Sequence, residues 1–421
     1  MKSKISIIFK RIIPVCIGFL CLSMLFSCDP ANPEKPNVIL VITDDQGYGD
    51  LACHGNDVIR TPHLDQLHNE SFRFVSFHVG TTCAPTRAGL MTGRNANRNG
   101  VWHTIGGCSM LNQEETTMAD VFSENGYKTG MFGKWHLGDT YPLRPHDRGF
   151  DEAFYHGGGG ITQTPDYWLN DYFDDTYFRN GEPEKATGYC TDVWFEEAIS
   201  FIEKNKDQPF FCYLSTNAPH APFNVPEGYY QMYEDERLMD FQKRFYGMIT
   251  NIDDNMGMLM EKLDEMGVAD NTILMFMSDN GTAAGYKPDP ETGEMIGFNA
   301  GMRGTKGSPY EGGHRVPFFM RWPGGNISGG KDVDALSAHV DLLPTLAELC
   351  GIDFNPTLTL DGTSLAAMIR GEEAPDTSRM LITDTQRIQW PKKGRNSCVM
   401  QGSWRLMMGT ELYNIEDDHG Q

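Results

Sequence analysis

Beyond its first few dozen residues the sequence has no apolar run long enough to cross a membrane. It has no internal repeat and no low-complexity tract, which argues against a repeat array or a disordered linker. Its ten cysteines are irregularly spaced with no CxxC, so neither a zinc site nor a disulfide framework is legible. Basic side chains are in deficit, 35 against 57 acidic, for a net charge of −22. That balance argues against nucleic acid or an anionic membrane surface as a partner. The glycine run 157–160 is followed by no Gly-Lys-Ser/Thr, so it is a flexible loop and not a phosphate loop.

What is present is ordinary for a soluble globular chain: 40% hydrophobic and 22% charged over 421 residues, enough for one large core or two domains. The N-terminus carries Lys2, Lys4, Lys10 and Arg11, then an apolar run from Ile12 to Phe26. This run falls short of the ~20 residues of a membrane helix and suits a signal peptide over 1–27. Leu25-Phe26-Ser27-Cys28 resembles a bacterial lipobox, although Phe26 is not the usual small residue. The expectation is an exported lipoprotein, periplasmic or on the outer membrane or cell surface, held only through a lipid on Cys28 and a 28–36 tether. Most remaining cysteines are expected to be buried small hydrophobes.

Asn37–Thr43 is a short β-branched run that stops at Asp44-Asp45. The same pattern recurs at Thr272–Ser278 before Asp279-Asn280, at Pro209–Ser215 before Asn217-Ala218-Pro219-His220, and at Lys128–Phe132 before Gly133-Lys134-Trp135-His136. Such runs read as buried strands of a parallel sheet. Helical patterns lie between them at 118–125, 191–204, 241–266 and 336–350. The fold class is therefore α/β: a large mixed, mostly parallel sheet sandwiched by helices. A catalytic domain over 37–355 is followed by a smaller α+β subdomain over 356–421, with strands expected at 380–385 and 403–408. In open α/β sheets ligands bind beyond the carboxyl ends of the strands. Four segments thus bring Asp44, Asp45, Lys134, His136, His220, Asp279 and Asn280 to one edge. Singly, each would more often be a cap or turn residue.

Cys83-Ala84-Pro85-Thr86-Arg87 opens an expected helix that runs to Met91-Thr92-Gly93-Arg94. A helix N-terminus favours negative charge, so Cys83 alone would be a candidate thiolate, yet no triad partner is assignable. The segment resembles the signature of the type I sulfatases, within the alkaline-phosphatase-like superfamily. Five separated segments match that family in order. The resemblance implies that Cys83 is oxidised to formylglycine by a maturation enzyme, and that the hydrated aldehyde attacks sulfur. It implies calcium ligation by Asp44, Asp45, Asp279 and Asn280, all hard oxygen donors. Arg87 and Lys134 would position the diol. Lys306 and His220 would bind sulfate and serve the leaving oxygen, with His220 the general acid, and His136 would take the proton that lets sulfate leave. This local positive charge answers how so acidic a chain binds sulfate. His314 and Arg315 are expected to brace the Lys306 loop. His103, His156, Asp166 and Arg387 lie in irregular segments, of which His103, Asp166 and Arg387 are expected to meet substrate. The expected substrate is a sulfated sugar or glycan. A phosphonate or phosphate ester hydrolase of the same superfamily, and a non-catalytic surface lipoprotein binding sulfated glycans, are the competing readings. Family members usually continue past Glu411-Leu412-Tyr413-Asn414, which raises the expectation of a truncated C-terminal subdomain.

Overall fold

The structure, a computed structural model, describes residues 35–421 apart from 235, 355–357, 419 and 421. The expected signal peptide, Cys28 and most of the tether lie outside the described residues.

A ten-stranded sheet runs through the molecule, with the Thr272–Ser278, Asn37–Thr43, Phe210–Ser215 and Lys128–Lys134 strands adjacent at its centre. These four are parallel, as is Glu152–His156 beyond them. Antiparallel strands flank them: Phe318–Arg321 on one side and Thr176–Arg179 on the other. The central strands are apolar at every step because both faces are covered. Val38, Leu40 and Ile42 enter one core cluster, while Ile39 and Val41 enter the other. Phe211 and Tyr213 alternate in the same way with Phe210, Cys212 and Leu214. On the first face lie the Cys83–Thr92 and Leu342–Leu349 helices, through Ala84, Ala88, Leu90, Leu342 and Leu346. The Cys190–Asn205 and Asp240–Glu265 helices cover the second through Phe195, Ala198, Met248, Ile252, Met256 and Leu259.

Two local expectations change. The expected 336–350 helix begins only at Leu342. Ser337–Ala338 instead pairs with Phe77–His78 as a strand. The Asp341 carboxylate fixes this bend, accepting from Ala338 N at 2.7 Å and from Thr363 N at 3.0 Å. The strand through Lys128 runs two residues further than its apolar stretch, to Lys134. The C-terminal sheet is an antiparallel meander of Met380–Asp384, Ser397–Gln401, Trp404–Met407 and Glu411–Asn414. Among the described residues all cysteines are free, and Cys83, Cys190, Cys212, Cys350 and Cys398 are buried.

Candidate active site

The sheet's parallel strands deliver their polar residues to one place. Asp279 N donates to Thr43 O at 3.1 Å, and Asp45 N donates to Asp279 Oδ1 at 3.1 Å, so two strand ends are stitched side by side. Asp45 adopts φ 76°, a left-handed conformation that aspartate tolerates better than most residues, and this turns the chain sharply off the strand. The Cys83–Thr92 helix begins at Cys83 itself, with Thr82 as its cap residue. Four residues separate Cys83 from Arg87, which places both on one helix face.

These groups are buried, apart from Lys306, which is partly exposed. Arg87 is fully enclosed and donates from Nε and Nη2 to Asp279 Oδ2 at 3.0 and 2.8 Å. Its Nη1 donates to Ser215 Oγ and, at 3.4 Å, to Lys134 O. Lys134 Nζ lies 2.5 Å from Asp44 Oδ2, and Lys306 Nζ 2.5 Å from Asp45 Oδ1. His220 donates from Nδ1 to Ala221 O at 2.6 Å, which leaves Nε2 facing Asp45 Oδ2 at 3.7 Å. His136 donates from Nε2 to Thr104 O at 2.9 Å, and its Nδ1 is buried with no hydrogen-bond partner among the described residues. Asn280 donates from Nδ2 to Asp45 Oδ1 at 2.9 Å. Its Oδ1 and Asp44 Oδ1 are buried oxygens without a partner among the described residues. Ligand atoms of Asp44, Cys83 and Asp279 lie within 4.8 Å of one another, as do those of Asp44, Asp45 and His220.

Crowding sets the electrostatics. Burial pushes the Asp44 and Asp279 carboxyls up to about 6; nearby carboxylates reinforce this, while Lys134 and Arg87 work against it. Burial also opposes ionisation of Asp45, but Lys306 and His220 outweigh it and hold that carboxyl low. For the Cys83 thiol burial is likewise overcome, here by Lys134 and Lys306, and it falls below the usual thiol range. Burial, followed by the charge of Lys134, drives His136 well below the usual imidazole range. The site thus combines cations, a polarisable cysteine and a carboxylate set whose charge favours a further cation.

Of the remaining sequence candidates, Arg387 is exposed, His103 and Asp166 are partly exposed, and His314 is fully buried. Arg387 Nη2 donates to Thr104 Oγ1 at 3.4 Å, on the segment that also holds His136. His103 belongs to that segment too, and its Nδ1 accepts from Thr104 N at 2.6 Å. Asp166 is engaged by its own loop, accepting from Thr162 N at 2.6 Å and Asn170 Nδ2 at 2.8 Å, and lies 3.1 Å from His156 Nε2. His314 donates from Nε2 to Pro309 O at 3.0 Å, on the loop that carries Lys306. The glycines at 159 and 160 are not merely flexible. A Cβ on either would come within 2.8 Å of a ring atom, of His136 in one case and His220 in the other. Sequence reasoning overlooked Ser215, which bridges Arg87 and Lys134 O, although its strand-end position is the signal that marked its neighbours.

The family model for sulfatases matches residues 36–352. This chain belongs to the sulfatase family. Sulfatases are sulfuric ester hydrolases, and the relatives agree. Arylsulfatase G of Mus musculus is 31% identical over 374 residues, covering 80% of this chain and 69% of that protein. N-acetylgalactosamine-6-sulfatase of Homo sapiens is 30% identical over 358 residues, covering 79% of this chain and 65% of that protein. Among solved structures, Ps i-CgsB in complex with k-i-k-neocarrahexaose superimposes with a TM-score of 0.80 at 31% identity, covering 92% of this chain and 88% of that one. The sulfatase match ends before the C-terminal antiparallel sheet.

Proposed function

We propose that this sulfatase removes sulfate from sugars of sulfated glycans, using formylglycine made from Cys83 and a calcium ion held by Asp44, Asp45, Asp279 and Asn280. The observation that carries this reading is the convergence of Arg87, Lys134, Asp44 and Asp279 on Cys83 at the helix N-terminus. The donor set fits calcium: three carboxylates and a carboxamide, all hard oxygens, with Asp44 Oδ1 and Asn280 Oδ1 lacking a partner among the described residues. Bound there, calcium would offset the negative charge that gathers as sulfate is transferred. The hydrated aldehyde would supply an oxygen nucleophile for sulfur and a route to expel sulfate by C–O cleavage.

The chain's own residues do the rest. Arg87, clamped to Asp279, and Lys134 fix the position of residue 83. Lys306 neutralises a sulfate oxygen. His220 presents Nε2 to the leaving sugar oxygen as its proton donor; burial holds its imidazolium below the usual range, an acidifying effect that Asp45, 3.7 Å away, only partly offsets. His136, kept neutral by burial, offers the free Nδ1 lone pair as the base that recovers the aldehyde. The sugar substrate is supported by the names of the N-acetylgalactosamine-6-sulfatase and of the neocarrahexaose complex. Export through the N-terminal signal, a lipid on Cys28 and a transient maturation enzyme complete the proposal. No helix among the described residues is long and apolar enough to cross a membrane. Protein co-produced with a maturation enzyme should release sulfate from a sulfated galactose or N-acetylgalactosamine; release from neither, in protein shown to carry the aldehyde, would refute the sugar assignment.

A further inference from the structure

Segment 386–396 stands out in so acidic a chain. Four of its eleven residues are basic (Arg387, Lys392, Lys393 and Arg395) and none is acidic. Trp390, in its middle, is 70% exposed. Lys392 and Lys393 are exposed, and neither they nor Arg387 form a salt bridge within the described residues. One exposed indole or one unpaired ammonium is ordinary at a surface; here an indole and two ammoniums share a single loop.

The loop is nevertheless built. Gln386 is buried and acts as its internal staple. Its Oε1 accepts from Lys392 N at 3.0 Å, and its Nε2 donates to Lys392 O at 3.1 Å and Asp384 Oδ2 at 2.9 Å. Arg395 Nη1 donates to Thr385 O, closing the base. That base sits on the catalytic edge. Thr385 Oγ1 donates to Gly307 O at 2.9 Å, next to Lys306, and lies 2.8 Å from Thr81 Oγ1, two residues before Cys83. On the opposite side Arg387 reaches Thr104, whose carbonyl accepts from His136. The loop therefore rises between the Lys306 and His136 walls of the site.

We infer that this loop is a subsite for a neighbouring, anionic sugar of an oligosaccharide substrate. Trp390 stacks on the pyranose ring, and Lys392 and Lys393 hold that sugar's own sulfate or carboxylate. Three features select this occupant. An exposed indole offers an amphipathic stacking surface. The paired lysines supply point charges for an anionic group. A preorganised loop spends little ordering free energy on binding. The inference rests on the sulfatase reading, and it adds that the enzyme recognises a chain and not a lone sugar.

The test uses the Cys83→Ala full-length protein, chosen so that the probe is not turned over, and sulfated galactan mono- and tetrasaccharides as probes, titrated calorimetrically. The tetrasaccharide should bind about tenfold more tightly than the monosaccharide at low salt. That gain should be lost in Trp390→Ala and in Lys392→Gln/Lys393→Gln, and the lysine pair should also account for most of its salt sensitivity. Equal affinity for the two sugars, or a gain that survives both variants, overturns the subsite. Variants that weaken the monosaccharide as much as the tetrasaccharide overturn it too, since they would reveal damage to the site's frame. Failure of the sulfatase reading gives a different signature: matured wild-type protein that releases sulfate from no probe.

Discussion

Replacing Arg405 by methionine tests how the C-terminal sheet supports the active site. Arg405 lies on the Trp404–Met407 strand with no solvent exposure, and donates from Nε to Glu311 Oε1 at 2.6 Å. Its Nη1 also donates to Gly402 O at 2.7 Å. Glu311 heads the short helix whose Gly313 O accepts from Gly281 N at 3.0 Å, beside Asn280, and whose Gly312 N donates to Arg303 O at 2.9 Å, on the approach to Lys306. Burial opposes ionisation of Glu311, yet His78 and Arg405 outweigh it and bring its carboxyl from 4.5 to about 2; burial drives His78 itself well below the usual imidazole range, so at neutral pH Arg405 is the standing charge of the two. At 1.36 kcal/mol per unit, that shift corresponds to roughly 3 kcal/mol of folding stability at neutral pH. Breaking a buried pair by removing one partner costs ~3–5 kcal/mol in general. His78 shares the shift, and the variant no longer buries a guanidinium, so we expect a loss of ~2–4 kcal/mol. Because the folded carboxyl is depressed, its stabilisation is present above 4.5 and is lost as pH falls towards about 2. Urea unfolding should therefore show a gap between wild type and Arg405→Met that is widest near neutral pH and narrows in acid. A difference below about 0.5 kcal/mol at pH 7, the usual range for an unimportant substitution, would refute the reasoning, as would a gap that acid leaves unchanged.

Four further outcomes are expected. Cys83→Ala should abolish sulfate release while retaining binding of a sulfated sugar, measured by calorimetry; residual turnover near the wild-type level would deny Cys83 its role. Calcium should raise the melting temperature, because a ligand at a hundred times its Kd stabilises by about 2.7 kcal/mol. Asp45→Asn should weaken calcium binding at least tenfold, and an unchanged calcium titration would remove Asp45 from the ligand set. Gly159→Ala places a Cβ within 2.8 Å of the His136 ring. A displacement of about 1 Å there should lower kcat by up to 100-fold while circular dichroism shows an unchanged fold; full activity would show that His136 tolerates the shift.

The strand ends were the most legible part of the sequence. A strand buried on both faces must be apolar throughout, so its abrupt stop at Asp44 or Asp279 marks the sheet edge without any alignment. Cys83 and Arg87 were equally readable, since a helix start and a four-residue spacing fix their common face. What escaped was set by contacts distant in sequence. Ser337–Ala338 carries the same local pattern as the helix after it, and only pairing with Phe77–His78 makes it a strand. Arg405 looks like any charged residue of a short strand until Glu311, 94 residues away, is found beside it. The glycines at 159 and 160 read as mere flexibility because nothing nearby announces the two histidine rings that fill the space their side chains would need. Asp166 stood out as a polar loop residue near the site, while the structure spends its oxygens on Thr162, Tyr167 and Asn170.

Conversion of Cys83 to formylglycine exchanges the thiol sulfur for an aldehyde oxygen with loss of two hydrogens. Mass spectrometry of the peptide containing Cys83, from protein co-produced with a maturation enzyme and assayed in parallel, measures it directly. The account predicts that the thiol side chain is replaced by an aldehyde and that sulfate release rises in proportion to the converted fraction. An unmodified Cys83 in fully active protein would contradict it.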